Sequence, residues 1–277
     1  MKSVLKIKIL LLLLVFASVS GYAQFSGGNG TEANPYQIRT RQHLELLADS
    51  VSNCAPSPAD NWSKGKYFKI MNGIDDSIRT VIGSNSHPFQ GNFDGQGYSI
   101  TLAIAMNFPT QHPGIMFWAR IGLFGVTMNA AIKNVIVNGY VRAGDRGVGG
   151  IVGYAIESTT ITNCINLANI TSNANHVGGI SGYNEKTVIK NCTNLGNVRG
   201  TNCIGGITSC GFDAVINCIN AGHIRGGNFI SSYPPTGGVG GIAGYSGYGS
   251  VINSINIGVV EVNKESPDGP GGITGQE

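Results

Sequence analysis

One phrase recurs through the second half of the chain, and it limits the fold more than any other feature. The first part of the phrase has a Gly-Gly-Ile core, and an Asn-Cys or Asn-Ser pair follows shortly after it. Successive pairs lie 28, 26 and 36 residues apart, and the longest step includes an insertion at roughly Gly226–Thr236. The pairs end at Cys164, Cys192, Cys218 and Ser254. The first parts are GVGGIVGY (Gly147–Tyr154), HVGGISGY (His176–Tyr183), CIGGITSC (Cys203–Cys210) and GVGGIAGY (Gly238–Tyr245).

A repeat of this length predicts a stacked β structure. A unit of about 27 residues cannot bury its own apolar face, so neighbouring units must pack on one another. The apolar stretches are short, are separated by Gly and Asn, and lack helical periodicity. We therefore predict an all-β fold, a right-handed parallel β-solenoid with rungs about 4.8 Å apart. A divergent copy begins earlier, at Ile121, and the last copy is incomplete at the end of the sequence.

Alternation along a strand assigns side chains to its two faces. The third position of Gly-Gly-Ile does not vary among the four copies, and its Ile is predicted to face inward. The next position varies in a way that suits solvent, with Val152, Ser181, Thr208 and Ala243. By the same parity the tyrosine position points outward, unless a corner resets the count; it is occupied by Tyr154, Tyr183, Cys210 and Tyr245.

The N-terminal part of the chain differs from the repeats. Residues 1–23 combine a basic start with a short apolar run and the small residues of a cleavage site, which predicts a signal peptide and a mature chain beginning near Gln24. We expect a cap and the first rungs at residues 24–115 and the repeats at residues 116–277. The segment Thr40–Ser52 has the periodicity of an amphipathic helix with Thr40 as its N-cap, and is predicted to cover the open end of the solenoid.

Charge argues against nucleic acid as a partner, and hydropathy argues against a membrane span in the mature chain. The chain has 18 basic and 15 acidic residues, and three of the basic ones, Lys2, Lys6 and Lys8, lie in the predicted signal peptide. The rest is therefore balanced, without the basic surface of a nucleic-acid-binding protein. A second long apolar run does not follow, so we expect no membrane span in a mature protein that is secreted or held at the cell surface.

Several segments resemble one known family. The stretch GLFG at Gly122–Gly125, the lead-in FQGNFDGQGYSI at Phe89–Ile100 and the opening segment at Gly30–Val51 are similar to GLUG-motif repeat proteins of bacterial cell surfaces. The resemblance implies a secreted or surface solenoid, and brings no catalytic residues with it. The incomplete last repeat suggests either a fragment of a longer protein or a truncated open reading frame.

The cysteines of the Asn-Cys pairs are predicted to pack in the core. Their column also contains Val135 and Ser254, and a column that accepts Val is not required to bind metal or attack a substrate. Disulfides are the main alternative because secretion permits them. Cys203 and Cys210 flank one strand, and seven extended residues span about 23 Å, so we do not expect these two cysteines to pair.

The Asn before each Cys is predicted to form a ladder at a left-handed corner, since Asn tolerates that conformation and stacks on itself. The residues are Asn134, Asn163, Asn191, Asn217 and Asn253.

Recognisable catalytic motifs are lacking, so we predict a non-catalytic module that acts in adhesion, binding or as a structural stalk, with no metal and no cofactor. The alternative is a polysaccharide lyase or glycoside hydrolase that uses turn carboxylates at Glu157, Glu185 and Asp213. Asp94, in an Asp-Gly turn, is predicted to be structural. Glycans or host and cell-surface proteins are the expected partners of an aromatic surface made of Tyr154, Tyr183, Tyr245, Phe229 and Tyr233.

Overall fold

A computed structural model describes residues 24–53, 61–106, 120–144, 146–227, 238–245, 249–262 and 271–274. In these residues the chain forms one α-helix and 27 β-strands. Every strand pairs in parallel with the equivalent strand of the preceding or following unit, which is the pairing of a β-solenoid. The predicted all-β parallel solenoid is therefore confirmed. The predicted signal peptide, Cys54 and most of the predicted insertion lie outside the described residues.

Sheet A is the wall that extends over the most rungs, with one strand from each of eight successive rungs. Its strands are β1 (Tyr36–Ile38), β2 (Tyr67–Ile70), β4 (Asn92–Asp94), β7 (Ala131–Lys133), β11 (Thr160–Thr162), β16 (Val188–Lys190), β21 (Ala214–Ile216) and β25 (Ser250–Ile252).

Sheet B begins with three longer strands, the third of which pairs with two short strands of the next rung. The longer strands are β3 (Ile74–Ile78), β5 (Ser99–Met106) and β8 (Ile136–Ala143). The short strands come in pairs, namely β12 (Ile165–Asn166) with β13 (Asn169–Ser172), β17 (Thr193–Asn194) with β18 (Val198–Arg199), β22 (Ile219–Asn220) with β23 (Ile224–Gly226), and β26 (Ile255–Asn256) with β27 (Val260–Val262).

Two narrow four-stranded sheets complete the repeat rungs, and the Gly-Gly-Ile turn connects them. Sheet D contains β9 (Val148–Gly149), β14 (Val177–Gly178), β19 (Ile204–Gly205) and β24 (Val239–Gly240). Sheet C contains β6 (Phe124–Met128), β10 (Val152–Ile156), β15 (Ser181–Asn184) and β20 (Thr208–Cys210).

Helix α1 (Arg41–Ser52) covers the first edge of sheet B. The hydroxyl of Thr40 accepts a hydrogen bond from the backbone N–H of His43, as expected of an N-cap. Leu44, Leu47 and Val51 are buried on the inner face of the helix, which packs against β3, the edge strand of that sheet. The predicted capping helix is therefore confirmed.

The predicted exposure of the residue after Gly-Gly-Ile is wrong. Val152, Ser181, Thr208 and Ala243 are all fully buried. The carbonyl of Ile180 accepts hydrogen bonds from both Ile151 and Val152, at 3.0 and 3.1 Å, so the chain bends between these two residues. Because the corner resets the alternation, both side chains face the interior.

The cysteines of the Asn-Cys pairs form the predicted packing column. Cys164, Cys192 and Cys218 are fully buried thiols, and no described cysteine is in a disulfide. Each sulfur lies one rung from the next, and the backbone N–H of Cys164 points at Cys192 Sγ at 3.5 Å. In the last rung the hydroxyl of Ser254 accepts the equivalent bond from Cys218 at 3.1 Å. The column therefore selects small side chains rather than a chemical function.

The outer asparagine ladder is also confirmed. All five residues have positive φ, between 48° and 54°. In the described rungs, side-chain amides join Asn163 to Asn134, Asn191 to Asn163 and Asn217 to Asn191 at 3.2–3.3 Å. At the N-terminal end, Asn134 donates to the carboxylate of Asp94 at 2.9 Å. Asp94 also accepts from the backbone N–H of Gln96, so it is both a turn residue, as predicted, and the terminus of the ladder.

A second asparagine ladder lies inside the solenoid and was missing from the sequence predictions. Asn166, Asn194 and Asn220 are fully buried, and each donates its amide to the next carbonyl oxygen along the stack at 2.7 Å. A Cβ at Gly179 would lie 2.4 Å from the amide carbon of Asn194. The second Gly of Gly-Gly-Ile therefore leaves room for the ladder, and this contact links the two halves of the repeat phrase.

Candidate functional site

The two narrow sheets meet back to back, and this contact determines which side chains come together at the surface. A Cβ at Gly153 would lie 2.3 Å from the backbone nitrogen of Ile121 and 2.5 Å from the carbonyl carbon of Arg120. The strand after the turn thus packs directly on the backbone that enters the preceding rung. Only Gly permits so close an approach without displacement of the backbone.

Two columns of side chains line the open edge of this contact, and we call them together the ridge. The turn column stands just before the first strand of each narrow pair and contains Arg120, Gly147, His176, Cys203 and Gly238. The tyrosine column stands two residues after the start of the second strand and contains Tyr154, Tyr183, Cys210 and, two residues after the bridge residue Ala243, Tyr245.

The turn column has a left-handed backbone. Arg120, Gly147, His176 and Cys203 have φ values of 48°, 76°, 61° and 49°. This region is readily accessible to Gly and uncommon for other residues. Arg, His and Cys at three of these positions are therefore departures from the residue that the backbone favours.

At one end of the ridge the tyrosines are packed rather than freely exposed. Tyr154 is only 8% exposed, and its ring centroid lies 5.3 Å from that of Tyr183. The guanidinium carbon of Arg120 lies 4.0 Å from the centroid of the Tyr154 ring, a cation–π contact. The hydroxyl of Tyr154 donates to a carboxylate oxygen of Glu185 at 2.5 Å. Burial, together with this hydrogen bond, raises the pKa of the Tyr154 phenol.

Tyr183 connects this cluster to a group of sulfur and nitrogen atoms. Its ring centroid lies 5.0 Å from that of His176 in an edge-on arrangement. His176 Nδ1 in turn lies 3.1 Å from Cys210 Sγ. Burial, and the proximity of Cys210 and Glu185, raise the pKa of the Tyr183 phenol.

Cys203 and Cys210 are not joined in a disulfide, as predicted, but they lie beside each other, so the separation of about 23 Å on which the prediction rested is wrong. The two sulfur atoms and a ring nitrogen of His176 are all within 4.8 Å of one another, and both thiols are nearly buried, at 2% and 5% exposure. The estimate of about 23 Å assumed an extended segment, whereas the chain turns back at Gly206–Ile207 between two short strands. A hydrogen bond with Cys203 lowers the pKa of the Cys210 thiol against the opposing effect of burial, and His176 lowers it further. The same hydrogen bond and burial raise the pKa of Cys203.

The predicted aromatic surface is only partly assembled in the described residues. Tyr154 and Tyr183 are in contact, and Tyr245, 36% exposed, continues the column beyond Cys210. The backbone N–H of Tyr245 donates to Ser209 at 2.9 Å, which extends sheet C by one rung. Phe229 and Tyr233 lie outside the described residues.

The turn carboxylates of the enzyme alternative have separate partners. Glu157 forms an ion pair with Lys186 at 3.6 Å, and Glu185 accepts the Tyr154 hydroxyl. Asp213 is exposed, and its backbone carbonyl accepts a hydrogen bond from Ser250. The first two are thus engaged in holding turns and side chains in place.

Sequence analysis found the tyrosine column but missed the cluster of His176, Cys203 and Cys210. A signal for it exists in the repeat itself. In the turn column Gly147 and Gly238 represent the common residue, while the tyrosine column is Tyr in three of its four positions. His176, Cys203 and Cys210 each replace that common residue, and the fold brings the three replacements together.

Comparison with known proteins agrees with the repeat assignment. The GLUG motif matches residues 173–199. A protein of Evansella cellulosilytica provisionally named Gly-rich membrane protein is 31% identical over 124 residues, which are 42% of this chain and 12% of that protein. Halomucin of Haloquadratum walsbyi is 27% identical over 168 residues, 49% of this chain and 2% of that protein. The chain thus spans a small part of the length of either relative.

The fold is shared with a solved structure. A protein of Bacteroides ovatus provisionally named immunoglobulin A1 protease superposes with a TM-score of 0.55 at 20% identity, over 91% of this chain and 87% of the other. At this identity the likeness concerns the fold alone. Among the described residues no helix has the length and apolar character needed to cross a membrane. The resemblance to GLUG-motif repeats is confirmed at residues 173–199, the unit that contributes His176 and Tyr183 to the ridge.

Proposed function

We propose that this chain is a module of an exported surface protein, in which a rigid β-solenoid presents the ridge for recognition of glycans without catalysing a reaction. The observation that carries the proposal is the alignment of tyrosines from successive rungs along one edge, in contact at Tyr154 and Tyr183 and exposed at Tyr245. Aromatic rings give apolar contact area at a low cost in side-chain entropy and pack well against the flat faces of sugars. Arg120 and Glu185 stand beside them as hydrogen-bonding groups.

The architecture supports a presenting role. Eight strands of one wall follow each other in parallel register, and both asparagine ladders run along the same axis. A stack in which each rung contacts only its neighbours gives an extended surface, and loops and edges on one face of such a stack are common binding elements.

Two observations favour recognition over catalysis. Glycosidases need two carboxyl groups that face one bond, whereas Glu157 pairs with Lys186 and Glu185 binds the Tyr154 hydroxyl. The hydroxyl of Tyr154 is itself a donor to Glu185 and, with its raised pKa, stays protonated at neutral pH. These groups therefore stabilise the ridge rather than form an acid–base pair.

Export is supported by the sequence pattern of residues 1–23 and by the similarity to the Evansella protein, which is named as a membrane protein. N-terminal sequencing of the chain recovered from outside the cytoplasm should begin near Gln24. A chain that retains Met1 and stays inside the cell would contradict this part of the proposal.

A glycan-array screen of the full chain tests the recognition, with release of cleavage products followed in the same samples. Tyr245→Ala should abolish the bound signal, because it removes the most exposed ring of the column. Tyr98→Ala is the matched control, since Tyr98 is similarly exposed, at 42%, but lies before β5 on another wall. Equal loss in both variants, or no glycan bound by the unaltered chain, would overturn glycan recognition by the ridge. Cleavage products would overturn the non-catalytic assignment.

A further inference from the structure

The cluster of His176, Cys203 and Cys210 lies in the ridge, but the recognition proposed above rests on the tyrosines and does not use these three side chains. Its residues come from two rungs, since His176 enters β14 while the two cysteines flank the turn of the next rung. Three donor atoms, two of sulfur and one of imidazole nitrogen, converge within 4.8 Å. We propose that these three side chains form a binding site for a zinc ion, with a fourth position open to solvent.

The first argument is the coincidence of three departures from the repeat. Cys164, Cys192 and Cys218 fill a column that Val and Ser also fill, so these thiols serve as small core residues. Cys203 and Cys210 instead replace Gly and Tyr, which differ from Cys in size and in surface preference. At each of these three positions a neighbouring rung has the common residue, Gly in the turn column or Tyr in the tyrosine column. The three replacements nevertheless occur where their side chains can contact one another.

The second argument is the geometry. In a tetrahedral zinc site, sulfur lies about 2.3 Å and imidazole nitrogen about 2.0–2.1 Å from the ion, which places the donor atoms about 3.6–3.8 Å apart. His176 Nδ1 and Cys210 Sγ are 3.1 Å apart, and every pair of donor atoms is within 4.8 Å. Small rotations of side chains therefore suffice to place all three around one ion.

The third argument concerns burial and charge. Cys203 and Cys210 are nearly buried while His176 is partly exposed, so the cluster is closed on the sulfur side and open on the imidazole side. Zinc binding would displace the two thiol protons to solvent and leave His176 neutral, with its remaining proton on Nε2. A divalent ion with two thiolates and a neutral imidazole has no net charge, which reduces the penalty for placing the ion at a buried site. The hydroxyl of Ser209 lies 3.5 Å from Cys210 Sγ and can donate to the thiolate.

Cobalt(II) is a suitable probe because it occupies zinc sites and gives a visible thiolate-to-metal charge-transfer band. The full chain, kept reduced and stripped of metal, should bind one cobalt ion with that band, and zinc should abolish the band by displacement. The test variants restore the residues of neighbouring rungs: Cys203→Gly, Cys210→Tyr and His176→Gly. The two cysteine variants should lose the band, and the histidine variant should bind with lower affinity, while far-ultraviolet circular dichroism remains that of the solenoid.

Cys218→Ser is the control, since Ser254 occupies the same column in the next rung and the substitution leaves the cluster intact. It should retain both the band and the one-to-one stoichiometry. A chain that is folded and fully reduced but shows no charge-transfer band would overturn the proposal. A disulfide between Cys203 and Cys210, identified by peptide mass spectrometry in the chain isolated after export without reductant, would also overturn it.

Discussion

The first rungs and the repeat rungs fill the same solenoid interior in different ways. In the first rungs, aromatic rings follow one another with centroids 4.7–6.3 Å apart, and Phe25 in this cluster also lies beside the ring of His43 in helix α1. In the repeat rungs the columns that run through the interior are mainly Ile, Val, Cys and Asn, each beside its own kind or a residue of similar size in the next rung. The aromatic rings are Phe25, Tyr36, Trp62, Phe68, Phe89, Phe93 and Phe124.

The difference shows what a repeated rung requires of its residues. Aromatic rings pack at irregular angles, from 15° to 80° in this cluster, so each depends on one particular set of neighbours. A ladder residue must be complementary to a copy of itself one rung away. The Asn side chain meets this condition because its amide donates in one direction and its carbonyl oxygen accepts from the other. The first region is therefore specific and closed, while the second can be extended rung by rung.

The largest expected effect compares one column of sheet A in the two regions. Phe93 and Ile189 are fully buried and belong to the same register, through Ile132 and Ile161. Phe93→Ala should lower the free energy of unfolding by about 3–5 kcal/mol, and Ile189→Ala by about 2–5 kcal/mol, toward the lower end because removal of an Ile side chain leaves a smaller cavity than removal of a Phe ring. Denaturant unfolding of both variants measures this. A greater loss for Ile189→Ala would show that the repeat region, not the aromatic region, dominates stability.

The next effect concerns the inner ladder. Asn194→Val removes both ladder bonds of this residue, so one of the two side-chain N–H groups of Asn166 and the amide oxygen of Asn220 lose these partners in a fully buried position. The free energy of unfolding should fall by about 2–4 kcal/mol. Asn166→Val should cost less, because it breaks one ladder bond instead of two and the preceding rung already has Val137 in this column; both variants also lose side-chain bonds to the backbone two residues on. Equal losses in the two variants would mean that burial of the amide, rather than the continuity of the ladder, sets the cost.

Much of this architecture could be predicted from the repeat alone. The rung spacing, the packing role of Cys164, Cys192 and Cys218 and the left-handed outer asparagines follow from which residues share a column. The alternation around Ile151 and Val152 could not, because it depends on the place at which the chain bends. For the same reason the meeting of Cys203 with Cys210 was missed: the residues are far apart in an extended strand and adjacent only after the turn.

The inner ladder was missed for another reason. Asn166, Asn194, Asn220 and Asn256 are as regular in the sequence as the outer asparagines. Asn is usually exposed, however, so regularity alone does not place it in the core. In the stack each amide donates one N–H to the next rung and the other to the backbone carbonyl two residues on. The first of these bonds requires the three-dimensional register of the rungs.

A smaller effect is expected from the outer ladder. Asn191→Ala leaves a residue without a polar side chain in a backbone with φ of 54° and removes two exposed side-chain bonds. The free energy of unfolding should fall by about 1–2 kcal/mol, because a non-Gly residue without a polar side chain is disfavoured in this conformation. Asn191→Gly separates the two contributions, since Gly accepts the backbone and lacks the amide, and should recover about half of the loss. If both variants lose the same amount, backbone conformation contributes nothing to the preference for Asn.

The smallest effect lies where the two regions meet, at Asp94. Burial alone would raise the pKa of this carboxyl, but hydrogen bonds from Asn134 and Gln96, with Lys133 at 3.4 Å, hold its pKa below the ordinary value. Because the pKa is lower in the folded than in the unfolded chain, the stabilisation is present above the unfolded pKa and is lost as the pH falls through the folded pKa. Asp94→Asn should therefore destabilise the chain by less than about 1 kcal/mol at neutral pH, given solvent screening of the Lys133 pair, and by almost nothing at about pH 2. Denaturant unfolding of both chains at the two pH values gives this difference. If the destabilisation by Asp94→Asn does not change with pH, the negative charge of Asp94 does not contribute to stability and the shape of its side chain is what matters to the end of the outer ladder.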